Sequence, residues 1–257
     1  MTTIDGDILR QVAPRVSGAK GERQGSIIRA LDGVLDDTLT RFGIDSDLRQ
    51  AHFLAQVCHE SDGFCTTIEY SSGEAYEGRA DLGNSKPGDG ARYKGRGLIQ
   101  LTGRANYQRY GELLQLDLVG NPELAADPAT SLVIACEYWT LKGLNALADK
   151  DDIETITRRI NGGLNGLADR RARLTRAKEA LAGAAAETAG SILRLGDKGA
   201  QVAALQSLLG AKGFAILPDG DFGPATDAAV RQFQARLGLE ADGVVGPGTW
   251  QALKNTA

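Results

Sequence analysis

Two glutamates nine positions apart are the residues best placed to do chemistry in this sequence. Glu60 stands in Ala51-His52-Phe53-Leu54-Ala55-Gln56-Val57-Cys58-His59-Glu60-Ser61, and Glu69 follows Thr66-Thr67-Ile68. Two carboxyls can divide acid–base work, one giving a proton while the other takes one from water. Glu60 falls in the last turn of a helix read over 46–61, capped by Asp45 or Ser46 and stopped by Gly63. Leu48, Ala51, Phe53, Leu54, Ala55, Val57 and Cys58 make that helix apolar on most sides, so it belongs in the core. The negative end of a helix and apolar surroundings both disfavour an anion. Glu60 is therefore suited to hold a proton and release it. Composition alone would favour a surface glutamate at a fraying helix end; the residues downstream reverse that preference.

Those residues are Tyr93-Lys94-Gly95-Arg96-Gly97-Leu98-Ile99-Gln100-Leu101-Thr102-Gly103-Arg104-Ala105-Asn106-Tyr107. They close a Gly-rich, polar stretch from Ser71 to Gly97 with little helical periodicity. A loop of that length inside a folded unit is usually functional. It is expected to wall a cleft, with a short two-stranded ribbon near Tyr93–Leu101.

Other chemistries find less support. His52 and His59 lie two helical turns apart but lack a third ligand, so no metal site and no cofactor is expected. Gly95-x-Gly97 has no third glycine for a nucleotide loop. There is no Gly-x-Ser-x-Gly elbow and no Cys–His peptidase motif. Cys58, Cys65 and Cys136 read as reduced, buried thiols, with a Cys58–Cys65 bridge as the alternative.

Several elements must position the two carboxyls. Helices are expected over 3–15 and 22–42, the second carrying Ile27, Ile28, Leu31, Leu35 and Leu39 on one stripe. Further helices are read over 103–116, 129–147, 151–160 and 168–182, with Trp139 in the core rather than on a sugar-binding surface. Asn161-Gly162-Gly163-Leu164-Asn165-Gly166 supplies turns and close backbone approach between the last two. Ala182 to Ser191 is small and unpatterned and reads as a linker. Beyond it Asp219-Gly220-Asp221-Phe222-Gly223-Pro224-Ala225-Thr226 recurs as Asp242-Gly243-Val244-Val245-Gly246-Pro247-Gly248-Thr249, offset by 23 residues. Each Gly-Pro opens a helix, Pro sitting where its missing N–H costs nothing. Helices at 198–210, 224–238 and 247–255 then form a three-helix unit, with Leu205, Leu208, Leu209, Val230, Phe233, Leu237, Trp250 and Leu253 as its core.

Bulk properties narrow the class. The 257 residues have room for two domains, and 42% apolar with 24% charged residues suits a folded chain. The net charge of −4 lies wholly in the first 190 residues, since six Lys/Arg balance six Asp/Glu from Ser191 onward. With no basic run, nucleic acid is not an expected partner, nor is stable membrane association. Met1–Gly6 has no secretory pattern.

The motif around His59-Glu60, the Gly95-Arg96-Gly97-x-Ile99-Gln100-Leu101-Thr102-Gly103-x-x-Asn106-Tyr107 run, Ile160-Asn161-Gly162-Gly163 and Ala168-Asp169-Arg170 together resemble glycoside hydrolase family 19, over residues 20–182. That family contains chitinases and lysozyme-like phage lysins. The tail repeat resembles the three-helix peptidoglycan-binding module of cell-wall hydrolases. The resemblance implies a mainly α protein: a lysozyme-like catalytic domain (1–182) with a small β element and long cleft loops, a linker (183–192) and a three-helix wall-binding domain (193–257). It implies Glu60 as general acid and Glu69 as general base, with Tyr93, Gln100, Thr102, Asn106, Asn161 and Arg170 binding substrate. Arg170 would orient a carboxylate. The family inverts, so the carboxyls should stand about 6.5–9.5 Å apart. A shorter segment after Glu69 than in plant chitinases would leave a more open cleft.

The expected function is thus an endolysin cutting β-1,4 bonds of bacterial peptidoglycan. A chitinase and a non-catalytic wall-binding protein are the alternatives. The expected setting is a monomer made in a host cytoplasm and acting on the wall in the periplasm after release by a holin. An effector delivered by a secretion apparatus would look the same.

Overall fold

A computed structural model describes residues 3–190 and 192–255. They divide into two compact units, Ile4–Leu181 and the part from Ala182 onward. The first is built from α1 (Gly6–Val12), α2 (Gly18–Asp32), α3 (Leu35–Arg41), α4 (Asp47–Glu60), α5 (Asp89–Arg92), α6 (Arg104–Leu114), α7 (Pro128–Leu141), α8 (Asn145–Ala148), α9 (Ile153–Asn161) and α10 (Leu167–Gly190).

The central element is α4. Ser46 caps it by accepting the Arg49 N–H, and every residue from Gln50 to Cys58 is buried. The other helices wrap this apolar rod. The stripe read over 22–42 is real, since Ile28, Leu31, Leu35 and Leu39 are buried, but Gly33 and Val34 break it into α2 and α3. Asp32 and Asp36, flanking the break, accept the backbone N–H groups of Gly6 and Ile4 and so tie down the N-terminal segment. Likewise 129–147 divides at Gly143, whose φ of 62° ends α7 before α8 begins. Trp139 is in the core, edge-on to Phe53 at 5.4 Å, with its indole N–H donated to Asn145.

Between α4 and α6 the chain runs through two single 3₁₀ turns, the one-turn α5 and paired backbone rather than long helices. Ile68 bridges Arg96, and Arg96 bridges Leu101, both antiparallel. This is the small β element, carried by isolated bridges among the described residues. The segment 183–190, expected to be linker, continues α10 instead. Its alanines are the strongest helix formers, so lack of an apolar stripe did not mean lack of helix.

In the second unit, α11 (Ala200–Ala211), α12 (Pro224–Arg236) and α13 (Pro247–Asn255) pack around Val202, Leu205, Leu209, Phe222, Val230, Phe233, Trp250 and Leu253. Leu208 is only partly buried against this cluster, and Leu237, expected inside, is 40% exposed because α12 ends one residue before it. Each copy of the repeat closes on a buried glutamine from the preceding helix. Gln206 Nε2 meets Asp219 Oδ1 (2.8 Å), the Asp221 carbonyl (3.0 Å) and Thr226 Oγ1 (3.0 Å), while its Oε1 accepts the Gly220 N–H. Gln234 repeats the set with Asp242 Oδ1 (2.9 Å), the Val244 carbonyl (2.9 Å), Thr249 Oγ1 (3.2 Å) and the Gly243 N–H.

Candidate active site

Glu60 ends α4, and α10 supplies its partner. Arg170 is 1% exposed and donates Nη2 to Glu60 Oε1 at 2.5 Å. Its Nη1 donates to Gln56 Oε1, one turn back along α4, and its Nε points at the Asn165 carbonyl. One guanidinium thus grips two residues of one helix face, which fixes the Glu60 rotamer. The apolar pattern of α4 alone gives no sign of this positive charge, which favours an anion and so runs against the expectation that the surroundings of Glu60 disfavour one. A second seam lies alongside: His59 Nδ1 pairs with Asp169 Oδ2 at 2.6 Å, which also accepts Arg173 Nε at 2.5 Å, and Arg173 Nη1 lies 2.8 Å from Cys58 Sγ. Burial pushes the Asp169 carboxyl up, but Arg173 and His59 outweigh it and hold the group below the ordinary carboxylate range. Burial pushes the Cys58 thiol up to about 12, so it stays neutral.

The His59 ring presses on Gly166, where a Cβ would fall 2.4 Å from Cε1; with φ at 72° the position admits only glycine without strain. Beyond Glu60 the chain reverses through Asp62, Gly63 and Phe64, all with positive φ. Ser61 steadies the turn by donating Oγ–H to the Val57 carbonyl and accepting the Phe64 N–H.

That turn delivers Glu69. Its backbone N–H donates to the Gly95 carbonyl at 2.9 Å, and the Gly97 N–H donates to the Thr67 carbonyl at 2.7 Å. Tyr76 donates its hydroxyl to Glu69 Oε2 at 2.9 Å. Burial, then the Glu69 charge, raise the Tyr76 pKa, so the phenol remains a donor. Glu69 Oε1 is buried and takes no hydrogen bond among the described residues. A Cβ on Gly95 would lie 3.0 Å from Gln100 Oε1, 3.1 Å from Glu69 Oε2 and 3.3 Å from Thr102 Oγ1. Three oxygens therefore converge on the space that glycine leaves open.

This loop is braced from behind. Arg96 is 4% exposed and donates to the Arg92 carbonyl, to Tyr107 Oη and to Glu123 Oε1. Burial pushes the Tyr107 phenol up to about 12 against the pull of Arg96.

Gln100, Thr102 and Asn106 line one cavity of about 340 Å³ together with Tyr110, Tyr138 and Ile160. Tyr138 closes the far side, donating to the Ile160 carbonyl at 3.2 Å. Burial raises its phenol to about 12, and the Glu60 charge adds to the shift. The cavity is thus bounded on one side by the neighbours of Glu69 and on the other by a ring that feels Glu60. Gln100 (φ 54°) donates to the Gly97 carbonyl, Thr102 to the Gln100 carbonyl and Asn106 to the Thr102 carbonyl, so their side chains are held in place.

Two expected substrate contacts fare differently. Tyr93 is 1% exposed, packed on Tyr107 at 5.3 Å between the guanidiniums of Arg92 and Arg104, so it braces the loop and cannot touch a substrate. Asn161 is exposed, with its amide engaged by its own loop: Nδ2 donates to the Asn165 carbonyl and Oδ1 accepts the Gly163 N–H. It shapes the turn that carries the Asn165 carbonyl to Arg170. Sequence reasoning missed Tyr76, Gln56 and Gly95. Tyr76 had a faint signal as an aromatic in a polar loop seven residues from Glu69. Among the described residues no group of three metal-ligating side chains gathers, and His52 is bonded through Nε2 to Asp151 at 2.7 Å.

Comparison with known proteins places this geometry. The family model described as chitinase class I matches residues 40–166, and that of a putative peptidoglycan binding domain matches 198–253. A glycosyl hydrolase family 19 domain-containing protein of Haemophilus influenzae is 35% identical over 171 residues, 54% of this chain and 82% of the relative. Endochitinase EP3 of Arabidopsis thaliana is 33% identical over 138 residues, and the match spans 52% of this chain and 49% of that enzyme. Chitinase C from Streptomyces griseus superposes with a TM-score of 0.52 at 24% identity, over 70% of this chain and 77% of its own. A class IV family GH19 chitinase from Zea mays gives 0.52 at 21%, over 72% and 93%. These two likenesses concern the fold. The Haemophilus relative settles membership: the chain belongs to glycoside hydrolase family 19, and a peptidoglycan-binding domain follows its catalytic unit.

Proposed function

We propose that the chain hydrolyses the β-1,4 bond between the amino sugars of bacterial peptidoglycan, with its second unit holding it on the wall. The observation that carries the chemistry is the contrast between the two carboxylates. Glu60 is clamped by Arg170 at the end of a buried helix, whereas Glu69 keeps Oε1 without a hydrogen bond among the described residues and turns Oε2, held by Tyr76, toward the space over Gly95. In this reading Glu60 protonates the leaving oxygen, and the Glu69 carboxylate takes a proton from water on the opposite face of the sugar. Tyr76 fixes the Glu69 carboxylate through Oε2, and Gln100, Thr102 and Asn106 orient sugar and water. The configuration at the anomeric carbon inverts, which asks for room for one water between the carboxyls.

The peptidoglycan-binding match supports the wall as substrate, and tethering there raises local substrate concentration. The endolysin role, a monomeric state, synthesis in a host cytoplasm and release to the periplasm through a holin belong to the same proposal. The chitinase reading draws on the plant relatives. Parallel release of reducing ends from purified sacculi and from chitin separates the two, and fragment masses identify the bond. The mechanism is tested by Glu60→Gln, expected to lower turnover by about 10²–10⁴-fold with fold and sacculus binding intact. Full activity in that variant would end the assignment.

A further inference from the structure

A second cavity, of about 830 Å³, opens between residues 10–16, Gln24 and the part of α10 that bears Arg176, Glu179 and Ala180. Every residue lining it lies outside 40–166, the stretch matched by class I chitinases. Its charge runs against that of the chain. Arg10, Arg15 and Arg176 face one carboxylate, Glu179, in a protein of net charge −4. Arg10 is shared with Asp7 at 2.5 Å, but Arg15 and Arg176 have no carboxylate partner among the described residues. Arg176 Nε is buried without a hydrogen-bond partner, so the protein leaves this guanidinium short of acceptors. The cavity wall is also tied to the catalytic turn. Gln24 Nε2 donates to the Pro14 carbonyl (3.0 Å) and the Gly63 carbonyl (2.7 Å), and a Cβ on Gly63, three residues past Glu60, would strike Pro14 Cδ at 2.6 Å.

We infer that this cavity binds the carboxylates of the stem peptides that peptidoglycan carries and chitin lacks; the inference rests on the wall being the substrate. Guanidinium forks match carboxylates two bonds at a time, and a site joined to the Gly63 turn holds the peptide while the glycan lies in the cleft.

The test titrates the full chain carrying Glu60→Gln, which cannot turn over, with a free stem tetrapeptide, the same peptide amidated at its carboxylates, and inorganic phosphate. The tetrapeptide is expected to bind, more weakly as salt rises, and to lose about tenfold in affinity with Arg15→Gln or Arg176→Gln, about the worth of one charge-assisted bond. Arg15 is exposed, so its variant keeps the test valid if Arg176→Gln unfolds. Equal binding of the amidated peptide, no effect of Arg15→Gln, or phosphate binding as tight as the peptide overturns the inference. Activity separates it from the parent reading. Arg15→Gln should slow release from sacculi and leave peptide-free glycan strands cut at the normal rate. A parent enzyme that cuts neither substrate would sink the proposed function, while the titration still reports on the cavity.

Discussion

Gly95→Ala tests whether Glu69, Gln100 and Thr102 face reacting atoms. The added methyl would lie 3.1 Å from Glu69 Oε2, 3.0 Å from Gln100 Oε1 and 3.3 Å from Thr102 Oγ1. Comfortable separation is about 3.5 Å or more, so each oxygen must retreat by about 0.2–0.5 Å. Gly95 is not among the positive-φ glycines, so alanine adds no backbone strain, and the crowded atoms are side-chain ends that can swing. Overpacking of this kind costs about 1–2 kcal/mol, a fall in Tm of about 2–8 °C for a unit of this size. Catalysis should suffer far more. A misplacement of about 1 Å costs about a hundredfold in rate, so a shift of a few tenths of an ångström, with the methyl filling the space for water, predicts a ten- to hundredfold lower kcat. Reducing-end release from sacculi gives kcat, and thermal unfolding gives Tm. Gly183→Ala is the control, since nothing lies within 4 Å of its Cβ and alanine suits the α10 helix; activity should not change. Gly95→Ala activity within twofold of the parent, with Tm lowered as calculated, would show that the three oxygens converge on nothing that reacts.

Two further perturbations probe the supports. His52 is fully buried, and burial holds its ring below the ordinary histidine range despite the bond to Asp151. The unfolded chain takes up a proton near pH 6.5, about the ordinary histidine value, that the folded one refuses. The stability from the neutral ring is therefore complete above that pH and lost below it: Tm should fall from pH 7 to 5, and His52→Gln should flatten the fall. A flat parent profile would refute the argument. In the second unit, Gln234→Leu strips partners from Asp242, the Gly243 N–H, the Val244 carbonyl and Thr249, each loss worth about 1–3 kcal/mol when buried. Co-sedimentation with sacculi should vanish while cleavage of soluble glycan fragments persists; retained sedimentation would show the hub to be dispensable.

What the sequence made legible follows from where the forces are local. Ser46, the unbroken apolar run and Gly63 marked α4 because capping, burial and helix arrest all act within one element. Glu60 was readable from that frame, and the tail repeat from its Asp-Gly and Gly-Pro turns. The glutamine hubs escaped because Gln206 and Gln234 are 28 residues apart while the turns recur every 23. Gln56 and Tyr76 escaped for another reason. Gln56 acquires its role only when Arg170, 114 residues away, folds onto it, and Tyr76 when the loop curls back on Glu69. Tyr93 misled because it was carried over with the family resemblance, which says nothing of what packs around it. Its burial depends on Tyr107 and two arginines that close over it. Leu237 misled because an apolar stripe can run past the residue where its helix ends.

The two carboxylates are held by structures of different reach. Glu60 depends on contacts spanning 110 residues, the seam of α10 on α4 through Arg170 and, beside it, Asp169 with His59. Glu69 depends on a loop that folds largely on itself, the 67–69 segment pairing with Gly95 and Gly97 while Arg96 anchors the turn to Glu123. No described hydrogen bond joins the two sets directly, so losses on one side should add to losses on the other in stability. In catalysis they should not add, because proton donation and water activation serve one transition state and removing either leaves little for the other to do.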